Sequence, residues 1–112
     1  MVIYFGRKRD GGVGGQTVRI KHPNGNTTFL RHALVWHSPD GFNWGYGGSG
    51  PADLALNILY DYFRRIKLKK AKQTAIALYQ RFKWDVVSGL PDNFELQGSE
   101  IEAWLKNQEL DV

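Results

Sequence analysis

Three aromatic residues alternate with glycines in Gly41-Phe42-Asn43-Trp44-Gly45-Tyr46-Gly47-Gly48-Ser49-Gly50, and the run passes directly into Pro51-Ala52-Asp53-Leu54, a helix start. A glycine-rich loop entering a helix presents orphan backbone N–H groups and the positive end of the dipole, a combination that favours an anion. Trp44 and Tyr46 would then stack on a nucleotide held at Gly47, Gly48, Ser49 and Gly50. The segment lacks the Gly-Lys-Ser/Thr end of a P-loop and the spacing of a dinucleotide fingerprint. The same residues fit a second role, in which the glycines permit left-handed dihedrals and close packing while Phe42, Trp44 and Tyr46 fill a core. Of the three, Tyr46 is the one expected at the surface.

The second chemically loaded group is Arg64, Arg65, Lys67, Lys69, Lys70 and Lys72, six cations in nine residues at the join of two helices. With Arg7, Lys8 and Arg9 they would form a surface for phosphates, although a solvated helix end reads the same way. Charge is unevenly distributed. Residues 51–90 hold eight Lys or Arg against three Asp, and residues 91–112 one Lys against six acids, within a net charge of +4.

Other constellations are weaker. His22, His32 and His37 are too far apart for metal spacing, cysteine is absent, and no metal or cofactor is implied. Ser38, Ser49 and Ser88 coexist with histidines and aspartates but show no nucleophile elbow, so a non-enzymatic protein is expected. Asp53, in the first turn of its helix, and Asp61, two turns on, are explained by the helix dipole and solvent exposure.

These residues need elements to position them. A chain of 112 residues, 42% hydrophobic and 13% aromatic, is expected to form a single domain over 1–112 around one modest core. Val2 to Arg9, Thr17 to His22 and Thr27 to Leu30 read as antiparallel strands separated by glycine-rich and Asn-Gly turns. Ala33 to His37 is a candidate fourth strand, and Phe94-Glu95-Leu96 a short strand or an extended connection. From Pro51 the period becomes helical, with Leu54, Ala55, Ile58, Leu59, Tyr62, Phe63 and Ile66 on one face and Gly50 or Ser49 as cap. A second helix is expected over about 70–88, with Ile76, Tyr79, Phe82, Lys83, Val86 and Val87 on its inner face. A third is signalled by a Ser99/Glu102 capping box, with Ile101, Trp104 and Leu105 inward. The predicted class is α+β, an N-terminal antiparallel sheet of three to four short strands followed by three helices. Met1 to Gly6 is too short an apolar run for a signal or membrane segment, and the cysteine-free composition predicts an intracellular protein.

The block Gly41 to Leu56 resembles the hallmark of a family of small uncharacterised bacterial and bacteriophage proteins, a domain of unknown function. Phe82-Lys83-Trp84-Asp85-Val86-Val87-Ser88-Gly89-Leu90-Pro91 and Ser99-Glu100-Ile101-Glu102-Ala103-Trp104 are similar to its later blocks. The resemblance implies one compact domain, a mobile-element setting in the cytoplasm of a bacterial host, and no particular activity. The Arg64–Lys72 run is richer in cations than the family pattern. The resulting expectation is a non-enzymatic binding protein whose basic surface engages nucleic acid or an acidic protein face. In the setting that the resemblance implies, it would be a phage-encoded inhibitor or modulator of host nucleic-acid or defence (anti-CRISPR-like) machinery. The alternative is a small-ligand protein holding a nucleotide or other anion on the glycine-rich loop.

Overall fold

A computed structural model describes residues 1–108. Strands β1 (Ile3–Arg7), β2 (Val18–Lys21) and β3 (Thr27–Phe29) are followed by helices α1 (Ser49–Arg65) and α2 (Ala71–Asp85), then β4 (Asn93–Gln97) and α3 (Gly98–Lys106). The class is α+β, and one antiparallel sheet of order β3-β2-β1-β4 holds all four strands. The fourth strand comes from the Phe94 segment, which crosses back to pair with β1. Residues 33–37, the other candidate, are irregular because side chains rather than a neighbouring strand satisfy their amides.

Period-two alternation divides the sheet cleanly. Tyr4, Gly6, Val18, Ile20, Phe94 and Leu96 face inward and are buried, and all but Gly6 join one hydrophobic cluster with α1, α2 and α3. Helix α1 lies at the centre of that cluster. Residues 50–59 are all buried, including Pro51, Asp53 and Asn57, so this helix is covered well beyond the single face that its apolar periodicity marks.

The helix boundaries correct three expectations. Gly48, in extended conformation, caps α1, and Ala52 N–H donates to its carbonyl at 3.0 Å, so Pro51 is the third helical residue and Asp53 lies beyond the first turn. Helix α3 begins directly at the end of β4, where Gln97 still pairs with Ile3, which moves the reciprocal cap to Gln97 and Glu100. There the Glu100 carboxylate accepts the Gln97 N–H at 2.8 Å, whereas Ser99 and Glu102 lie inside the helix.

At the other end of α1 the chain turns through a Schellman motif. Leu68 N–H donates to Phe63 O at 2.9 Å and Lys67 N–H to Arg64 O at 3.0 Å, with Lys67 left-handed at φ 59°. Glycine is the usual occupant of that position.

Candidate functional site

The glycine-aromatic block is a packed hinge. Trp44 is fully buried, donates its indole N–H to Pro91 O at 2.9 Å and meets Phe94 edge-on at 4.8 Å. Gly6 lies beneath that ring, where an added Cβ would come within 2.7 Å of Trp44 and 2.8 Å of Phe94. Gly50 permits the close approach of Asn43, whose amide ties the hinge to Gly12 O and Gly14 O at 3.0 and 3.3 Å. Phe42 is also buried, but Gly45, at φ 84°, breaks the two-residue alternation, and Tyr46 turns out to 47% exposure. The three aromatics therefore do not share one face.

The start of α1 is roofed by aromatic rings, Trp84 over Gly47 and Tyr46 over Gly48. The concavity that reaches Ser49 and Gly50 measures about 120 Å³, well below the 300 Å³ or more typical of small-molecule sites. This leaves little room for a nucleotide.

Asp53 has a role that the sequence did not reveal. It is fully buried and accepts the backbone N–H groups of His37 and Ser38 at 2.8 and 3.0 Å, that of Trp36 at 3.1 Å, and the His32 ring at 2.9 Å. Dipole stabilisation in a first turn and solvent exposure are thus replaced by an internal anchor, which gathers three consecutive amides of an irregular segment onto α1. Asn57, one turn on, accepts Leu34 N–H at 2.9 Å and donates to Leu34 O at 2.8 Å. The His37 ring meets Tyr79 Oη at 2.7 Å. His32 and Asp53 thus form a pair, but its carboxylate is already bonded to backbone amides. Among the described residues no three His, Asp or Glu side chains converge as a metal site.

The basic run occupies the corner between α1 and α2. Arg64, Arg65, Lys67, Lys69, Lys70 and Lys72 are all exposed. Arg65 pairs with Asp61 at 2.6 Å, and among the described residues it is the only one of the six with a carboxylate within ion-pair reach. Tyr4 donates its hydroxyl to the same Asp61 at 2.6 Å. Burial, followed by the charge and hydrogen bond of Asp61, pushes that hydroxyl well above its ordinary range, so Tyr4 stays protonated. Arg64 lies over the Tyr60 ring at 5.3 Å. These side chains and Arg31 line a cleft of about 460 Å³ between β3 and α1, bordered by Phe29. Sequence reading missed Arg31, whose position just after β3 is the only local signal.

Arg7, Lys8 and Arg9 do not join this corner. Val2 lies beside Tyr62, Arg65 and Ile66, and β1 carries the chain away from them, so that six extended residues at about 3.3 Å each separate Val2 from Lys8 by about 20 Å. There Lys8 donates to Trp44 O at 2.6 Å and is held against the hinge, with Lys8 Nζ 5.6 Å from the Tyr46 ring. Arg7 and Arg9 instead border a concavity on the outer side of the sheet, together with Arg19 and Phe29. The nine cations read as one patch thus fall into two basic areas and one structural lysine.

Fold and site together define a small α+β protein with a basic helix corner, an arginine-lined cleft and no helix among the described residues long and apolar enough to cross a membrane. The chain belongs to the Family of unknown function (DUF6166), whose model matches residues 4–107. No curated protein and no solved structure matches it.

Proposed function

We propose that this protein is a non-enzymatic nucleic-acid-binding protein that engages the phosphate backbone through the basic corner at Arg64–Lys72 and the adjoining cleft. The observation that carries the reading is Lys67. A lysine in left-handed conformation costs about 1 kcal/mol where glycine would cost almost nothing, and it stands among five other exposed cations. The presence of a cationic side chain at a strained turn is explained if its charge is used. Arg31 and Arg64 extend the positive surface into a concave wall that Tyr60 also lines, its ring lying under the Arg64 guanidinium. In the phage and bacterial setting that the resemblance implies, such a protein would act in the cytoplasm as a modulator of host nucleic-acid or defence machinery.

The decisive measurement is binding of fluorescent DNA and RNA oligonucleotides by the intact protein and by a variant with Arg64, Arg65, Lys67, Lys69, Lys70 and Lys72 replaced by Ser. Circular dichroism and thermal unfolding confirm that the variant folds. Capture is expected to be abolished, and the parent's log Kd against log salt should have a slope of about 0.7 to 0.9 per phosphate contact. Unchanged affinity would refute the reading. So would capture of acidic proteins from nuclease-treated lysate with no binding of either oligonucleotide.

A further inference from the structure

The outer face of the sheet carries its own pattern. Residues paired across antiparallel strands share a face, so the register places Phe29, Arg19, Phe5 and Glu95 in one continuous row across β3, β2, β1 and β4. Thr27, Lys21, Ile3 and Gln97 form the neighbouring row, and Arg7 lies opposite Asn93 on the other side. All three helices join the hydrophobic cluster formed by the inward residues of the strands. On the outward side Arg7, Arg19, Lys21, Glu95 and Gln97 are exposed, Phe5 is half-buried, and Phe29 is 64% exposed.

Among the described residues Phe29, on the edge strand, stays outside the hydrophobic cluster, and with Phe5 it makes the outward face partly aromatic. Its neighbour is a cation: the Arg19 guanidinium lies 5.2 Å from the Phe29 ring. Phe5 and Phe29 are two strands apart, about 10 Å, with Arg19 between them. Arg7 and Arg9 border the same concavity of about 520 Å³, so among the described residues the face has four cations, counting Lys21, against the single carboxylate of Glu95. Phe29 also borders the arginine cleft, so it links the sheet to the basic corner around the β3 edge.

Interleaved aromatics and cations on an open sheet have a specific chemical complement, a chain of anionic links bearing flat apolar rings. We infer that the outer face of the sheet is a stacking platform for single-stranded nucleic acid, with bases on Phe29 and Phe5 and phosphates on Arg7, Arg19 and Lys21. A duplex would not fit this role, because its base faces are already stacked on one another. The inference rests on the nucleic-acid reading and names the strandedness and the base-contacting residues. The strand runs from the sheet over Phe29 into the cleft of Arg31 and Arg64, so one ligand occupies both basic areas.

The test uses the intact protein with single-stranded oligonucleotides containing 2-aminopurine, and a duplex of the same sequence as comparator. Stacking should quench 2-aminopurine fluorescence, and the single strand should bind more tightly than the duplex. Phe29→Ala is expected to weaken single-strand binding about 5- to 150-fold, the range for losing one stacked base, with duplex binding nearly unchanged. Phe29→Trp should retain both affinity and quenching. Because Phe29 is largely outside the core, the alanine variant loses only the cross-strand contact with Arg19, about 0.2–1 kcal/mol, and should unfold within about 4 °C of the parent, which removes misfolding as an explanation. Equal affinity of Phe29→Ala and parent for the single strand would overturn the inference. If the Arg64–Lys72 serine variant lost binding at the same time, the broader nucleic-acid reading would survive. Failure of the parent to bind either oligonucleotide would remove both.

Discussion

Replacing Asp53 by Ala deletes the acceptor for three consecutive backbone amides and for the His32 ring, in a position with no solvent access. A buried donor left unpaired costs about 1–3 kcal/mol, and the upper part of that range applies where water cannot enter. Here Trp36 and His37 are exposed, so their segment can swing outward and rehydrate, which argues for the lower end, about 1 kcal/mol per amide. Alanine regains about 0.5 kcal/mol of helix propensity. The His32 ring is part-exposed and can rehydrate, so its contact adds only about 0.5 kcal/mol, which offsets that gain and leaves a net loss of about 3 kcal/mol. For 112 residues at about 2.1 cal/mol/K each, the unfolding entropy is about 0.24 kcal/mol/K, and the transition should fall by roughly 13 °C. Urea unfolding monitored by circular dichroism gives the free energy, and hydrogen exchange at the amides of Trp36, His37 and Ser38 gives the local effect. Those three should lose protection more than the rest of the chain. Asp53→Asn, which keeps one acceptor but turns an NH2 group toward amide donors, should cost about 2 kcal/mol. A loss below 1 kcal/mol for Asp53→Ala, or unchanged protection of the three amides, would refute the view that this carboxylate holds the segment in place.

Two further outcomes test the turn and the hinge. Lys67→Gly should stabilise the protein by about 0.5–1 kcal/mol, by relieving the left-handed strain, while lowering the salt slope of oligonucleotide binding by about one contact. A change in only one of the two would separate the turn from the binding surface. Gly6→Ala, forced against the buried rings of Trp44 and Phe94, should cost about 1–3 kcal/mol in chemical unfolding. Gly47→Ala should cost much less, because the overlying Trp84 is 61% exposed and can move aside.

Much of the fold was legible because its signals are local. The change from period two to period three-and-four at Pro51, the turn chemistry of Asn24-Gly25 and the glycines before β2 depend only on residues a few positions apart, and the strands and helices appear where those signals lie. The caps were misplaced by one or two positions because Gly48 and Gln97 acquire their roles from what packs beside them. Gln97 is held by its pairing with Ile3 across the sheet, and no local pattern marks it as a helix start.

The candidate site was only half legible. Arg64–Lys72 is contiguous in the chain, so its density was visible without a structure. Arg31 reaches the same cleft from β3, and Arg7 and Arg9 leave for another face, because β1 carries them away along its length. The row of Phe29, Arg19 and Phe5 was present in the period-two spacing of three separate strands, yet which residue faces which is set by register.

What the sequence determined by itself was the class, the hinge composition and the concentration of charge at one helix corner, since composition, periodicity and short turns are properties of neighbouring residues. Only the tertiary structure decided that Asp53 is an internal anchor and that the aromatics of β1 and β3 share an open basic face. Both facts depend on pairing between residues far apart in the chain, and the energy of a buried carboxylate or a cross-strand row exists only once those partners have met.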